Sequence, residues 1–123
     1  DVSKAPPELQ AKAAEMFPKA RTSIKAAYEA GARIAVGTDA PAIPHGRNAD
    51  ELVTLVEWGL PPDAVLRAAT VVAAELIDRP DLGRIAEGYL ADIIAVPGDP
   101  LADITVTQKV NFVMKGGKVY RHD

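Results

Sequence analysis

Asp39 is the residue whose type and place first suggest chemistry. It ends the short apolar run Arg33-Ile34-Ala35-Val36-Gly37-Thr38 and precedes the loop Ala40-Pro41-Ala42-Ile43-Pro44-His45-Gly46-Arg47. Where strands alternate with helices, ligands and reacting groups collect at the C-terminal ends of the strands. A carboxylate there can bind a metal or move a proton. It can equally cap the turn that follows, and residue type alone leaves both readings open. His45 lies six residues on in the same loop. It can contact a substrate or support another group from behind, or it can be an ordinary loop histidine bonded to carbonyls or water. Its place alone favours the ordinary role. Thr38 can hydrogen-bond near Asp39, although threonine is common in strands. Arg47 and Asn48 can face the same pocket, but Asn48 is also accounted for as a helix cap. Asp92, Asp99 and Asp103 read as turn formers, and Trp58 as a core or interface residue.

The composition narrows the classes. At 123 residues the chain has room for one ordinary domain, whereas a complete (β/α)₈ barrel needs roughly 250. With 14 basic and 17 acidic residues it carries a net charge of −3 and no basic footprint for nucleic acid. No apolar run reaches the ~20 residues of a membrane span. There is no cysteine, which excludes disulfides, thiolate metal sites and cysteine nucleophiles. The two histidines, His45 and His122, are not at ligand spacing. A zinc site takes about three or four ligands, so metal chemistry here needs ligands from elsewhere. The chain starts Asp1-Val2-Ser3-Lys4, without Met and without a signal-type apolar run. The expectation is a processed start or a piece of a longer protein, located in the cytoplasm.

These candidates need elements to hold them. Leu9, Ala13, Met16, Phe17, Ala20, Ile24, Ala27 and Tyr28 follow a 3.6-residue period and predict a helix entered at Pro6-Pro7. Pro18 predicts a kink or restart, and Gly31 a C-terminal cap. Residues 33–39 lack polar alternation, which predicts a strand buried on both faces, as in a parallel sheet. Asn48 with Glu51 three residues on suggests a capping box, followed by the stripe Leu52, Leu55, Val56 and a stop at Gly59. Pro61-Pro62-Asp63 opens a second short helix. Thr70 is placed to cap a third, Val71 to Ile77, which Asp78-Arg79-Pro80 stops. Beyond it the pattern changes to short apolar runs between glycines and prolines. Residues 91–96 and 110–115 predict strands, with 118–120 as the return of a hairpin across Gly116-Gly117. A boundary near residue 80 follows.

Five stretches in order carry a resemblance. Gly31-Ala32-Arg33-Ile34-Ala35-Val36-Gly37-Thr38-Asp39-Ala40 with Pro44-His45-Gly46-Arg47-Asn48 and Glu51-Leu52 resembles the last barrel strand and loop of the amidohydrolase superfamily, prolidase-like and imidazolonepropionase-like branch. The run Gly59 to Thr70 resembles the helical segment that follows it. The run Leu82 to Ile94 resembles the return into a small β domain. Gly98-Asp99-Pro100-Leu101 and Val113 to Val119 resemble the closing strands. The resemblance covers roughly residues 20 to 120.

The resemblance implies an α/β fold: the last βα units of a metal-dependent-hydrolase (β/α)₈ barrel over residues 1–80, and the C-terminal strands of a small β-sandwich domain over 81–123. It implies hydrolysis of amide-type C–N bonds, with peptide or amino-acyl compounds as the substrate class. Asp39 would be metal ligand and general base, and His45 would touch the substrate. The implied cofactor is a divalent metal, zinc as the expected ion, in one or two copies. Its remaining ligands, a His-x-His pair among them, would come from outside this chain: from a missing N-terminal part of the barrel or from a partner chain. The isolated chain is expected to be inactive. No nucleic-acid or membrane partner is expected, and a homo-oligomer is. The alternative is a non-catalytic α/β association module built on the same scaffold, since unpaired strand edges favour self-association.

Overall fold

Pro6 has φ −53°, suited to a helix entrance, and Pro7 stands where a missing N–H costs nothing. From there a single helix, α1, runs Pro7–Glu29 in a computed structural model that describes residues 5–40 and 44–123. The expected break at Pro18 does not divide it. A proline removes one backbone hydrogen bond, and its neighbours Ala13, Ala14, Lys19 and Ala20 are strong helix formers. An ion pair from Lys19 to Glu15 at 2.7 Å bridges the position. The predicted cap is present. Gly31, at φ +83°, donates to Tyr28 O, and Ala32 donates to Ala27 O, both at 2.9 Å. This pair of bonds is the Schellman ending that glycine permits. No residue of α1 is buried, and Leu9, Met16 and Phe17 are exposed. Among the described residues no helix is long and apolar enough to cross a membrane.

The chain forms two compact units, 1–32 and 33–123. In the second, three short helices follow one another: α2 (Asp50–Glu57), α3 (Pro62–Ala68) and α4 (Val71–Leu76). Their apolar residues Leu55, Val65, Ala68 and Ala74 form the core with Leu60, between α2 and α3, and Ile104, and Val65 is fully buried. Gly59 ends α2 as Gly31 ends α1: Gly59 donates to Val56 O and Leu60 to Leu55 O. The two leucines so linked are both buried, the apolar contact that accompanies this ending. Asp78 ends α4 the same way at φ +54°, with Arg79 donating to Ala74 O at 2.9 Å.

The predicted strands form a three-stranded antiparallel sheet in the order β1 (Ile93–Ala95), β2 (Phe112–Lys115), β3 (Lys118–His122). Lys115 pairs with Lys118 across Gly116 and Gly117, at φ +54° and +79°. Two successive positive φ values make the type I′ turn that matches strand twist. Asp92 does more than shape the entry to β1: its Oδ1 accepts from Gly116 N at 2.7 Å and ties down the neighbouring hairpin. Asp99 and Asp103 form turns as predicted, accepting from Leu101 N and Thr105 N at 2.9 Å. Asp103 opens a 3₁₀ turn, Ile104–Gln108, which packs on α2. The described chain is α/β.

Residues 33–39 depart from expectation. They form no strand, and Ile34, Ala35 and Val36 are only half-buried. An extended segment becomes a strand when a neighbour completes its hydrogen bonds, and the small sheet is paired with itself. From residues 33–39, Val36 N donates to Ala68 O at the end of α3, at 3.0 Å.

Candidate functional site

The segment that carries Asp39 is held at both ends. Arg33 forms an ion pair with Glu75 on α4, and Val36 N bonds to the end of α3. At the far end, Thr38 Oγ1 accepts a hydrogen bond from Asn48 Nδ2 at 2.7 Å. Asn48 is therefore not the side-chain cap expected of it. The N-cap of α2 is Ala49, with no side-chain cap bond, and Asn48 contributes only its backbone carbonyl to Glu51 N. Its amide reaches ten residues back instead.

Asp39 is exposed and has φ +49°. Among the described residues no hydrogen bond or ion pair engages its carboxylate. Asp tolerates the left-handed region better than most residues, at a cost of about 1 kcal/mol. The turn at Pro44–Asn48, closed by Arg47 N to Pro44 O at 3.2 Å, carries His45, also exposed. Residues 41–43 of the loop lie outside the described residues.

The unit 33–123 holds an open cavity of about 660 Å³. Val36, Leu52, Leu66 and Val113 give it apolar walls, and Thr38, Asn48, Gln108 and Arg121 bring polar groups to it. Thr38 and Gly46 line it, next in sequence to Asp39 and His45, but neither Asp39 nor His45 does. Gln108 and Arg121 were not singled out by the sequence; Gln108 meets its partner Asp50 from 58 residues away, and no local spacing signals that.

That partner anchors the loop. Asp50 Oδ2 accepts from Arg47 Nε at 2.7 Å, and Asp50 Oδ1 accepts from Gln108 Nε2 at 2.9 Å. These bonds, that of Gln108 first and that of Arg47 second, hold the Asp50 carboxyl below its ordinary value. A carboxyl with a lowered folded-state pKa stabilises the fold above its unfolded value, and that contribution is lost as pH falls through the folded value. Asp50→Asn is therefore expected to make the loss of thermal stability below about pH 4 shallower. The change will be small, because solvent screens exposed groups. Melting curves taken at successively lower pH for both proteins check this, and identical acid limbs would refute it. Next to it, burial pushes the Glu51 carboxyl up.

Among the described residues no group of three or more His, Asp or Glu is arranged to hold a metal ion. These residues do not by themselves fit a divalent ion.

The profile of the Amidohydrolase family matches residues 2–120. The chain belongs to the amidohydrolase family. An ochratoxinase of Aspergillus niger is 42% identical over 101 residues, which span 77% of this chain and 21% of that protein. A Xaa-Pro dipeptidase solved with methionine in its active site superposes with a TM-score of 0.85 at 43% identity, over 94% of this chain and 29% of that one. A prolidase solved with N-methylphosphonate-L-proline gives a TM-score of 0.84 at 33% identity, over 96% and 30%. This amidohydrolase chain thus spans between a fifth and a third of the length of these relatives. The prolidase-like resemblance read from the sequence agrees with these amidohydrolase neighbours.

Proposed function

We propose that residues 1–123 are the C-terminal part of a metal-dependent amide hydrolase, with 1–80 completing a (β/α)₈ barrel and 81–123 a small β domain. One observation carries this reading. Nearly the whole chain superposes on dipeptidase and prolidase structures of which it covers less than a third. The unpaired segment 33–39 supports it too, since such a segment becomes a barrel strand when neighbours complete its ladder. In this reading Asp39 stands at the C-terminal end of that strand, where barrel enzymes place reacting groups.

Asp39 would contribute one ligand to a divalent ion, zinc as the expected metal in one or two copies, and the other ligands would come from outside this chain. When bound, such an ion lowers the pKa of water toward neutrality. The carboxylate of Asp39 accepts a proton from the attacking water as its oxygen bonds to the amide carbon. It returns a proton to the nitrogen as the C–N bond breaks. His45 contacts the substrate from the loop. The Xaa-Pro dipeptidase and prolidase neighbours favour peptides and amino-acyl amides as substrates.

The test is amide hydrolysis by the purified 123-residue chain, alone and together with the polypeptide that completes the site, with zinc supplied. The chain alone is expected to bind zinc weakly and to turn over nothing; the assembled enzyme is expected to hydrolyse. Intact mass and a search for a co-purifying chain with a His-x-His motif identify the complement. Turnover by the chain alone, abolished by Asp39→Asn, would overturn the reading.

A second reading, a homo-oligomeric association module, draws on the outer edges of β1 and β3, which no other strand covers among the described residues. Light scattering separates the two. A stable, cooperatively melting oligomer of the chain alone supports the module; an aggregating or partly unfolded chain supports the fragment.

A further inference from the structure

We propose that Asn48 is a positioning residue for Asp39, acting through the bond from its side-chain amide to Thr38 Oγ1; this rests on the reading of Asp39 given above.

Residues 38 and 48 stand at the two ends of the loop that begins with Asp39 and contains His45. The 2.7 Å bond between them closes that loop as a clasp. Without it, Asp39 would follow a segment whose last recorded backbone anchor is Val36, three residues back. Asp39 also sits at φ +49°, outside the regions most residues occupy. A carboxylate on such a backbone keeps one direction only if the residue before it is fixed, and Thr38 is fixed by Asn48.

The use made of Asn48 supports the same assignment. Immediately before α2, a side-chain cap would be the ordinary role for asparagine. The helix has no such cap, and the amide is committed to Thr38. Both residues of the pair line the 660 Å³ cavity. Thr38, accepting one N–H, retains its own O–H as a donor. The clasp therefore orders the cavity wall beside Asp39 as well as the backbone that leads to it.

The experiment compares Asn48→Ala, Thr38→Val, their double variant and Thr38→Ser in the assembled enzyme, with Asp39→Asn as reference. Asn48→Ala and Thr38→Val are each expected to lower kcat about 10- to 100-fold, the loss typical of a misplaced reacting group. KM should stay within about twofold, because substrate binding is not what the clasp provides. The double variant should be no worse than either single one, since both remove the same bond. Thr38→Ser keeps the acceptor oxygen and should retain most of the activity. A readout independent of turnover is release of bound metal to a chelator, expected to be several-fold faster in Asn48→Ala and in Thr38→Val than in Thr38→Ser. Wild-type kcat in Asn48→Ala, additive losses in the double variant, or a Thr38→Ser as impaired as Thr38→Val would each overturn the inference. If Asn48→Ala does not fold, the Thr38→Val and Thr38→Ser pair decides by the same readouts. An inactive Asp39→Asn beside fully active clasp variants overturns the clasp alone. An active Asp39→Asn overturns the reading of Asp39 itself.

Discussion

On the general-base role proposed for Asp39, Asp39→Asn is expected to lower kcat of the completed enzyme by about 10²- to 10⁴-fold, the range over which a positioned general base contributes. Asparagine is the informative replacement. It keeps the shape of the side chain and tolerates the left-handed backbone at φ +49° that this position adopts. A loss therefore reports the missing basic oxygen and not a refolded loop. Among the described residues the carboxylate of Asp39 has no bonded partner, so its removal strands no buried donor. The melting temperature should accordingly stay close to that of the parent. Steady-state amide hydrolysis beside thermal unfolding checks both halves. A variant that turns over at the parental rate would remove Asp39 from the chemistry.

Gly83→Ala is expected to be strongly destabilising. Gly83 has φ +82°, and a Cβ there would lie 2.8 Å from Thr70 O and 2.9 Å from Val71 Cα. Both atoms are backbone, at the first turn of α4, where Thr70 O accepts the bond from Ala74 N. Neither can turn aside as a side chain would. The left-handed backbone costs alanine about 1 kcal/mol and the forced overlap about 1–3 more, so the loss should be about 2–4 kcal/mol. At about 4–8 °C per kcal/mol for a domain of this size, the melting temperature falls by at least ~8 °C. Gly88→Ala is the control. Its φ of +84° is nearly the same, but nothing lies within 4 Å of the added methyl. It should show only the backbone cost. Equal losses in the two variants would mean that the close approach to Thr70 contributes nothing.

These two positions also mark how far the sequence could be read. Asp39 stood out in it as a carboxylate before a loop, whereas Gly83 was one of several glycines between short apolar runs. The type of Asp39 was legible because its neighbours in sequence define a strand-like run and a Pro- and Gly-rich turn. What Gly83 does was not legible, because the backbone it approaches belongs to residues 70 and 71. The family, too, was legible, from short stretches in a fixed order. The path of 33–39 was misjudged. Its apolar run predicts a buried strand, but burial and pairing depend on partners, and the described residues offer that segment no sheet.

Features closed by short-range bonds were determined by the sequence itself. The ends of α1 and α2 follow from Gly31 and Gly59, which alone adopt the left-handed cap without strain. The β2–β3 hairpin follows from Gly116-Gly117, and the turns at Asp99 and Asp103 from side chains that reach two residues along. The tertiary structure decided where a side chain had a choice of partners. Asn48 could turn its Oδ1 to accept a cap bond from α2 or reach with its Nδ2 to donate to Thr38, and residue type alone does not choose the direction of the side chain. Only the folded arrangement, which brings residue 38 within 2.7 Å, selects the second. Asp50 likewise bonds Arg47, three residues away, and Gln108, 58 residues away, and spacing foretells only the first. A hydrogen bond across a few residues is implied by the chain's own geometry, whereas one across a loop or between elements exists only when packing has already set the distance.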